Sequence, residues 1–263
     1  VVVPYSGGLD SYAAVQHLAH TEPNTAPLLV TADHGAPSTK AGAAAPGRVR
    51  VPLRIGVGKH AEPTYRSRTF LFLSMAAVAA KLAGTRRIVV GEAGQGAIGA
   101  ALVPFGGEPP YVGSHPLFTH RLRVFLKQLW SDSSVTEPPT YEHPFVWSTK
   151  REVLTKLIAG GAVGWQQTFS CSRDLQRLKK TGQPIHCGIC SGCLHRRVAL
   201  HGLSADPAGH GPYYWDLLDS PDLARATSRQ AHRATTENDR GDREQHEQET
   251  THGASLLPER LPG

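Results

Sequence analysis

The chain has 263 residues, 40% of them hydrophobic and 19% charged, with a formal net charge of +6. That apolar content excludes a wholly disordered chain and suits one α/β domain with a small appendage. The most apolar stretch, residues 70–82, is broken by Ser74 and Lys81 and is too short to span a bilayer, so a cytoplasmic protein with no membrane partner is expected.

The chain opens on Val1-Val2-Val3 without an initiator Met, which reads as a strand already under way. An upstream segment is therefore expected, and a secretory signal is not. Residues 1–4 predict the first strand, residues 6–11 a Gly-rich turn and residues 9–20 a helix. A second strand over 28–32 ends at Asp33-His34-Gly35, and residues 49–55 give a third. The longest helical pattern runs over 64–83, with Gly84 as its C-cap. A fourth strand, 88–90, ends in Gly91-Glu92. Residues 115–130 predict another helix and residues 144–147 a fifth strand. Ser148-Thr149 then caps a helix running to Ala159. Strands alternating with helices at this spacing predict a parallel sheet covered on both faces, a Rossmann-like α/β fold. Ligands of such sheets sit beyond the carboxyl ends of the strands. The Gly-rich turn, Asp33-His34-Gly35 and Gly91-Glu92 all fall there.

Residues 1–165 are read as the nucleotide-binding domain, and 166–223 as a cysteine segment with an appendage around Tyr213-Tyr214-Trp215. Residues 224–253 hold almost no large apolar side chains, and residues 224–263 are read as a disordered tail. Basic residues come in pairs, such as Arg86-Arg87 and Lys179-Lys180, and not in long runs. The positive balance therefore fits phosphates and acidic small molecules as well as nucleic acid.

Ser6-Gly7-Gly8-Leu9-Asp10-Ser11 follows a strand and opens a helix. Gly7 and Gly8 let a phosphate approach the backbone closely. The successive N–H groups there and the helix N-terminus make an anion site. Ser6 and Ser11 add hydroxyl donors. Asp10 fits a Mg²⁺ that accompanies the phosphates, since a hard cation takes carboxylate oxygen. The plainer alternative is a glycine turn whose Asp and Ser cap the helix. No Gly-Lys-Ser/Thr follows, so this is not a Walker A loop.

All four cysteines, Cys171, Cys187, Cys190 and Cys193, lie in one short segment. A tight cluster in a chain without a signal points to a metal instead of disulfides. The two-residue spacing through Cys187, Cys190 and Cys193, with Cys171 as fourth ligand, fits a closed structural zinc site. An iron–sulfur cluster accepts similar spacing, and free thiols are the third option. His186 and His195 flank the cluster and offer substitute ligands.

The loop string resembles the signature of the PP-loop ATP pyrophosphatases, whose fold is the adenine nucleotide alpha hydrolase-like one. Together with three further stretches it resembles the 7-cyano-7-deazaguanine synthase branch. These are Arg66-Ser67-Arg68-Thr69-Phe70-Leu71, Ser148-Thr149-Lys150-Arg151-Glu152-Val153, and Thr168-Phe169-Ser170-Cys171 followed by Cys187-Gly188-x-Cys190-x-x-Cys193-x-x-Arg196. The match covers about residues 1–200. The resemblance implies cleavage of ATP between the α and β phosphates, with the loop gripping pyrophosphate and the base held near Asp33. It implies that a deazapurine carboxylate is adenylated and that ammonia displaces AMP. A second ATP then converts the amide to a nitrile. Lys150, Arg66 and Arg68 are the implied transition-state cations. ATP, Mg²⁺ and Zn²⁺ are the implied cofactors, and a homodimer is an open expectation.

The chain departs from that pattern after the fourth strand. The synthases carry Gly-x-Asn-x-x-Asp, and this chain has Gly91-Glu92-Ala93-Gly94-Gln95-Gly96. Glu92 and His115 are the candidates for the substrate pocket. The variant resembles the divergent synthase-like proteins of anti-phage systems, where a protein or nucleic acid is the acceptor. A tRNA sulfur transferase needs a free cysteine, and here all four serve one metal. A nucleotide-binding protein without turnover is the remaining alternative.

Overall fold

Two consecutive valines near the start of the chain point to opposite faces of a sheet, and the rest of the architecture follows from that alternation. The computed structural model describes residues 1–33, 47–52, 66–99, 113–131, 137–171, 186–188, 190–203 and 213. All belong to one unit, Val1–Tyr214, so the cysteine segment and the sheet share it. A second unit, Trp215–Gly263, lies outside the described residues, as do His34-Gly35, residues 53–55 and the expected tail.

Strands β1 (Val2–Pro4), β2 (Leu28–Asp33), β3 (Arg48–Pro52), β4 (Arg87–Val89) and β5 (Thr140–Glu142) pair in the order β3-β2-β1-β4-β5. Every pairing is parallel, with Val2 opposite both Leu28 and Ile88. Parallel neighbours require crossover connections, and the helices supply them. Val2, Val30 and Ile88 face α2 (Arg66–Leu82) and α4 (Pro116–Leu129) through Leu73, Leu122 and Leu126. Val3, Leu29 and Val89 face α1 (Leu9–Thr21) through Ala14 and Leu18. Both faces of the sheet are thus covered and its strands read as apolar runs. A third cluster joins Leu9 and Ala13 of α1 to Val153 and Leu154 of α5 (Lys150–Ala159) and to Leu200 of α6 (Ser191–Leu200).

The strand order reverses at β1, which has β2 on one side and β4 on the other. The connections leaving β1 and β4 run to opposite faces there, the arrangement at which parallel sheets bind ligands at their carboxyl ends. A four-residue helix, α3 (Gly94–Ala97), follows β4. Thr149 caps α5 in a capping box: Glu152 N–H donates to Thr149 Oγ1 (3.1 Å), and Thr149 N–H donates to Glu152 Oε2 (2.7 Å). Gly84, at φ +63°, ends α2 as expected.

The fifth strand is not at residues 144–147. It is Thr140–Glu142, with Arg87 opposite Thr140 and Val89 opposite Glu142. Pro144 has no N–H to give a ladder, and residues 144–147 form a turn closed by Ser148 N–H to Phe145 O at 2.9 Å. Phe145 packs beside α1 and α5, while Trp147 is 89% exposed. The apolar run belongs to two different surfaces, which is why it imitates a strand. Helix α6 was not anticipated. No helix among the described residues is long and apolar enough to cross a membrane.

Ile88 is fully buried at the centre of the sheet and Val78 is 48% exposed on α2. Ile88→Ala is expected to lower stability by about 3 kcal/mol, and Val78→Ala by no more than about 0.5 kcal/mol, both read from urea unfolding midpoints.

Candidate functional site

The turn between β1 and α1 carries the first half of the site. Gly7 has φ +80°, in the left-handed region that favours glycine. Gly8 is the N-cap of α1 in extended conformation. Its N–H donates to Ser6 Oγ (3.2 Å), and Ser11 Oγ donates to Gly8 O (3.0 Å). The two serine hydroxyls lie 3.3 Å apart. Leu9 is buried and anchors the turn in the core. Polar hydrogens and the positive end of a 13-residue helix therefore meet in one concave turn.

The second half comes from the starts of α3 and α5. Lys150 is 7% exposed and its Nζ lies 2.7 Å from Asp10 Oδ2. Asp10 Oδ1 is buried and has no hydrogen-bond partner among the described residues. Lys150 N–H donates to Gln95 Oε1 (2.8 Å), and Gly94 N–H donates to Ser148 O (2.9 Å). These two bonds stitch the β4 exit to the start of α5. A side chain at Gly91 would place its Cβ 2.2 Å from Asp10 O and 2.9 Å from Ala14 Cβ, so the β4 exit touches α1 backbone to backbone.

Glu92 follows that glycine. Burial pushes its carboxyl up to about 7 and Asp10 adds to the rise, while Lys150 and Arg68 oppose it. A Cβ at Gly96 would meet Glu92 Oε1 at 1.9 Å, so the carboxylate fills the space a side chain there would need. Burial alone would lower the Lys150 ammonium. Asp10 and Glu92 outweigh that effect and raise it, keeping the lysine charged.

The expected residues do not all converge. Ser6, Gly7, Gly8, Leu9, Asp10 and Ser11 form the turn, Lys150 binds it through Asp10, and Glu92 is coupled to both. Arg68 reaches this group by charge from the first turn of α2, with its guanidinium 5.9 Å above the Phe72 ring. Arg66 begins α2 and Asp33 ends β2, but their side chains lie outside the described residues. His115 is the N-cap of α4, where Nδ1 accepts from Leu117 N–H at 3.0 Å. His195 sits on α6 within reach of the Lys150 and Asp10 charges, and burial lowers its pKa. Gln95, Phe169 and Arg196 were not singled out for a role. Only Arg196 had a signal, its fixed spacing after Cys193.

The four cysteine sulfurs lie within 4.8 Å of one another. Cys187 and Cys193 are 3.8 Å apart, and Cys190 and Cys171 are 3.9 Å apart. Zinc–sulfur bonds of about 2.3 Å in a tetrahedron put the sulfurs about 3.8 Å apart, whereas a disulfide needs about 2.05 Å. Gly188, at φ +86°, turns the loop so that Cys190 N–H donates to Cys187 Sγ (3.3 Å). The neighbouring thiols push Cys171 and Cys193 far above the usual thiol range. A divalent cation reverses that preference and takes thiolates. His186 is no ligand: its Nε2 accepts from Ser170 N–H at 3.2 Å. The cluster can hold a metal ion and is compatible with zinc.

No protein-family model matches the chain, and no curated protein matches it.

Elemental analysis of the purified protein is expected to show about one tetrahedral metal per chain, with most of it lost in Cys190→Ser. Four thiols reacting freely with a disulfide reagent, and no metal, would contradict the site. Glu92 supplies a pH test. Its folded pKa lies above the unfolded one, so its contribution is greatest below the ordinary glutamate range and is lost as pH rises through about 7. Glu92→Gln should therefore show a shallower fall in unfolding free energy between pH 5 and 7 than the parent protein.

Proposed function

We propose that the protein is an ATP-dependent carbon–nitrogen ligase of the 7-cyano-7-deazaguanine synthase type, built on the Rossmann-like PP-loop fold. The observation that carries this reading is the Ser6–Ser11 turn at the reversal point of a parallel sheet, with the buried Lys150–Asp10 pair at its rim. A glycine turn that merely connected a strand to a helix would give no reason to bury a lysine against it. No lysine stands in the loop itself, so the reading is α-phosphate chemistry instead of γ-phosphate transfer.

In this reading the N–H groups and hydroxyls of residues 6–11 hold the pyrophosphate end of ATP. Lys150 stabilises the charge that gathers on the α-phosphate as the substrate carboxylate oxygen attacks. The bond from the α-phosphorus to the bridging oxygen breaks and pyrophosphate leaves. Ammonia nitrogen then attacks the acyl carbon, sheds a proton and expels AMP, leaving the amide. In a second round the amide oxygen attacks the α-phosphorus of another ATP, the bond to the bridging oxygen breaks and a second pyrophosphate leaves. Loss of two protons from nitrogen and departure of AMP give the nitrile. Positioning and charge supply most of the acceleration, and no covalent protein nucleophile is needed.

Mg²⁺ fits the site on one observation: Oδ1 of Asp10 is a buried carboxylate oxygen with no hydrogen-bond partner among the described residues. Asp10 would hold it, and when bound it neutralises phosphate charge. Zn²⁺ fits the four thiols as a closed structural ion and takes no part in the reaction.

One observation favours the second reading, a defence-type protein that adenylates a protein or nucleic acid. Glu92 places a second carboxylate near Asp10, an unfavourable neighbour for a small anionic acid.

With ATP, ammonia and 7-carboxy-7-deazaguanine, mass spectrometry should find AMP, pyrophosphate and the nitrile. Neither AMP nor nitrile would remove the small-molecule reading, and AMP formed only with an added macromolecule would select the second. Lys150→Ala should lower kcat by about 10²-fold or more with a smaller change in the KM for ATP.

A further inference from the structure

The metal cluster and the phosphate turn are far apart in sequence but share one short segment, residues 165–171. We propose that this segment is a strap: metal binding at the four cysteines fixes it, and it in turn fixes the Gly7–Gly8 turn in its anion-binding shape. Phe169 and His186 are the positioning residues. The consequence for nucleotide rests on the function proposed above; the mechanical link does not.

On the turn side, Phe169 N–H donates to Gly7 O at 3.0 Å. The peptide unit is planar, so fixing the Gly7 carbonyl also fixes the N–H of Gly8, which points the opposite way. That N–H lies in the turn, beside Ser6 Oγ. Gly7 is the left-handed residue of the loop and has wide backbone freedom without this bond. The Phe169 carbonyl closes on the same place, 3.4 Å from where a Gly8 Cβ would stand.

On the metal side, each residue from 168 to 171 is held by the cysteine segment. Thr168 Oγ1 accepts from Arg196 Nη1 at 2.8 Å, and Arg196 is fully buried. The Phe169 ring stacks on His186, with centroids 4.6 Å apart. Ser170 N–H donates to His186 Nε2 at 3.2 Å. Ser170 O lies 2.0 Å from where a Cβ at Gly192 would be, so helix α6 presses on the strap where only glycine fits. Cys171 then enters the cluster. His186 precedes Cys187, and Gly192 lies between Cys190 and Cys193, so these supports stay in place only while the cysteine loop keeps its shape.

The test uses the full chain without nucleotide, metal-loaded and after chelation, with hydrogen exchange read at the amides of residues 7–11. Chelation should speed exchange at those amides while Val2, Val3, Ile88 and Val89 stay protected. ATP binding, measured by calorimetry, should weaken about tenfold or more. His186→Leu and Gly192→Ala keep all four cysteines. Either should retain metal yet show the same fast exchange at the turn. Equal protection of the turn in loaded protein, stripped protein and His186→Leu would overturn the strap. So would loss of protection in the sheet together with the turn, because the metal would then act on the whole fold. Loaded protein with a metal-dependent turn that binds no ATP would leave the strap standing and remove the proposed function.

Discussion

A lysine on the first turn of α5 reaches back to an aspartate on the first turn of α1, and the candidate site is organised around that contact. Removing two charges from water is expensive, and a buried ion pair seldom gains net stability over apolar residues of the same volume. Its structural effect is clearer than its energetic one. With Nζ on Asp10 and the backbone N–H on Gln95, Lys150 sets α5 against both α1 and the β4 exit. Gly91 then admits the backbone of α1, and the space beside Gly96 receives the Glu92 carboxylate. Two acids and one lysine end up beside a glycine turn, and one carboxylate oxygen has no hydrogen-bond partner among the described residues.

Much of this was legible in the sequence because it is local. The glycine turn lies between a strand and a helix that are both plain in the residue pattern. Ser148-Thr149 marks the start of α5, and Thr149 is its N-cap. The cysteine spacing needs only a short loop to bring three sulfurs together. The parallel sheet follows from the alternation of strands and helices.

What failed was non-local. The Pro144–Trp147 run has a strand-like composition, but Phe145 is drawn into the α1–α5 cluster and Trp147 stays in water. Thr140–Glu142 wins the edge of the sheet by pairing with Arg87–Val89. Gln95 has no local signature, because its role exists only once α5 packs beside it. The same holds for Phe169, whose partner Gly7 lies on the far side of the domain sequence. Residues 168–171 link the sheet's first turn to the cysteines within one unit, a connection that composition does not show.

The order of the chain has a consequence for how the protein is made. Asp10 is separated from Lys150 by 140 residues, and β1, the middle strand, is synthesised before either of its neighbours. At ribosomal speeds an interval of that length lasts on the order of ten seconds. For that time an acid destined for burial has no counter-charge, and the middle strand keeps one edge open until β4, at Arg87–Val89, follows it. The early chain therefore depends on α1 folding back on its own strand, and the Asp10 carboxylate waits for its lysine until α5 leaves the ribosome.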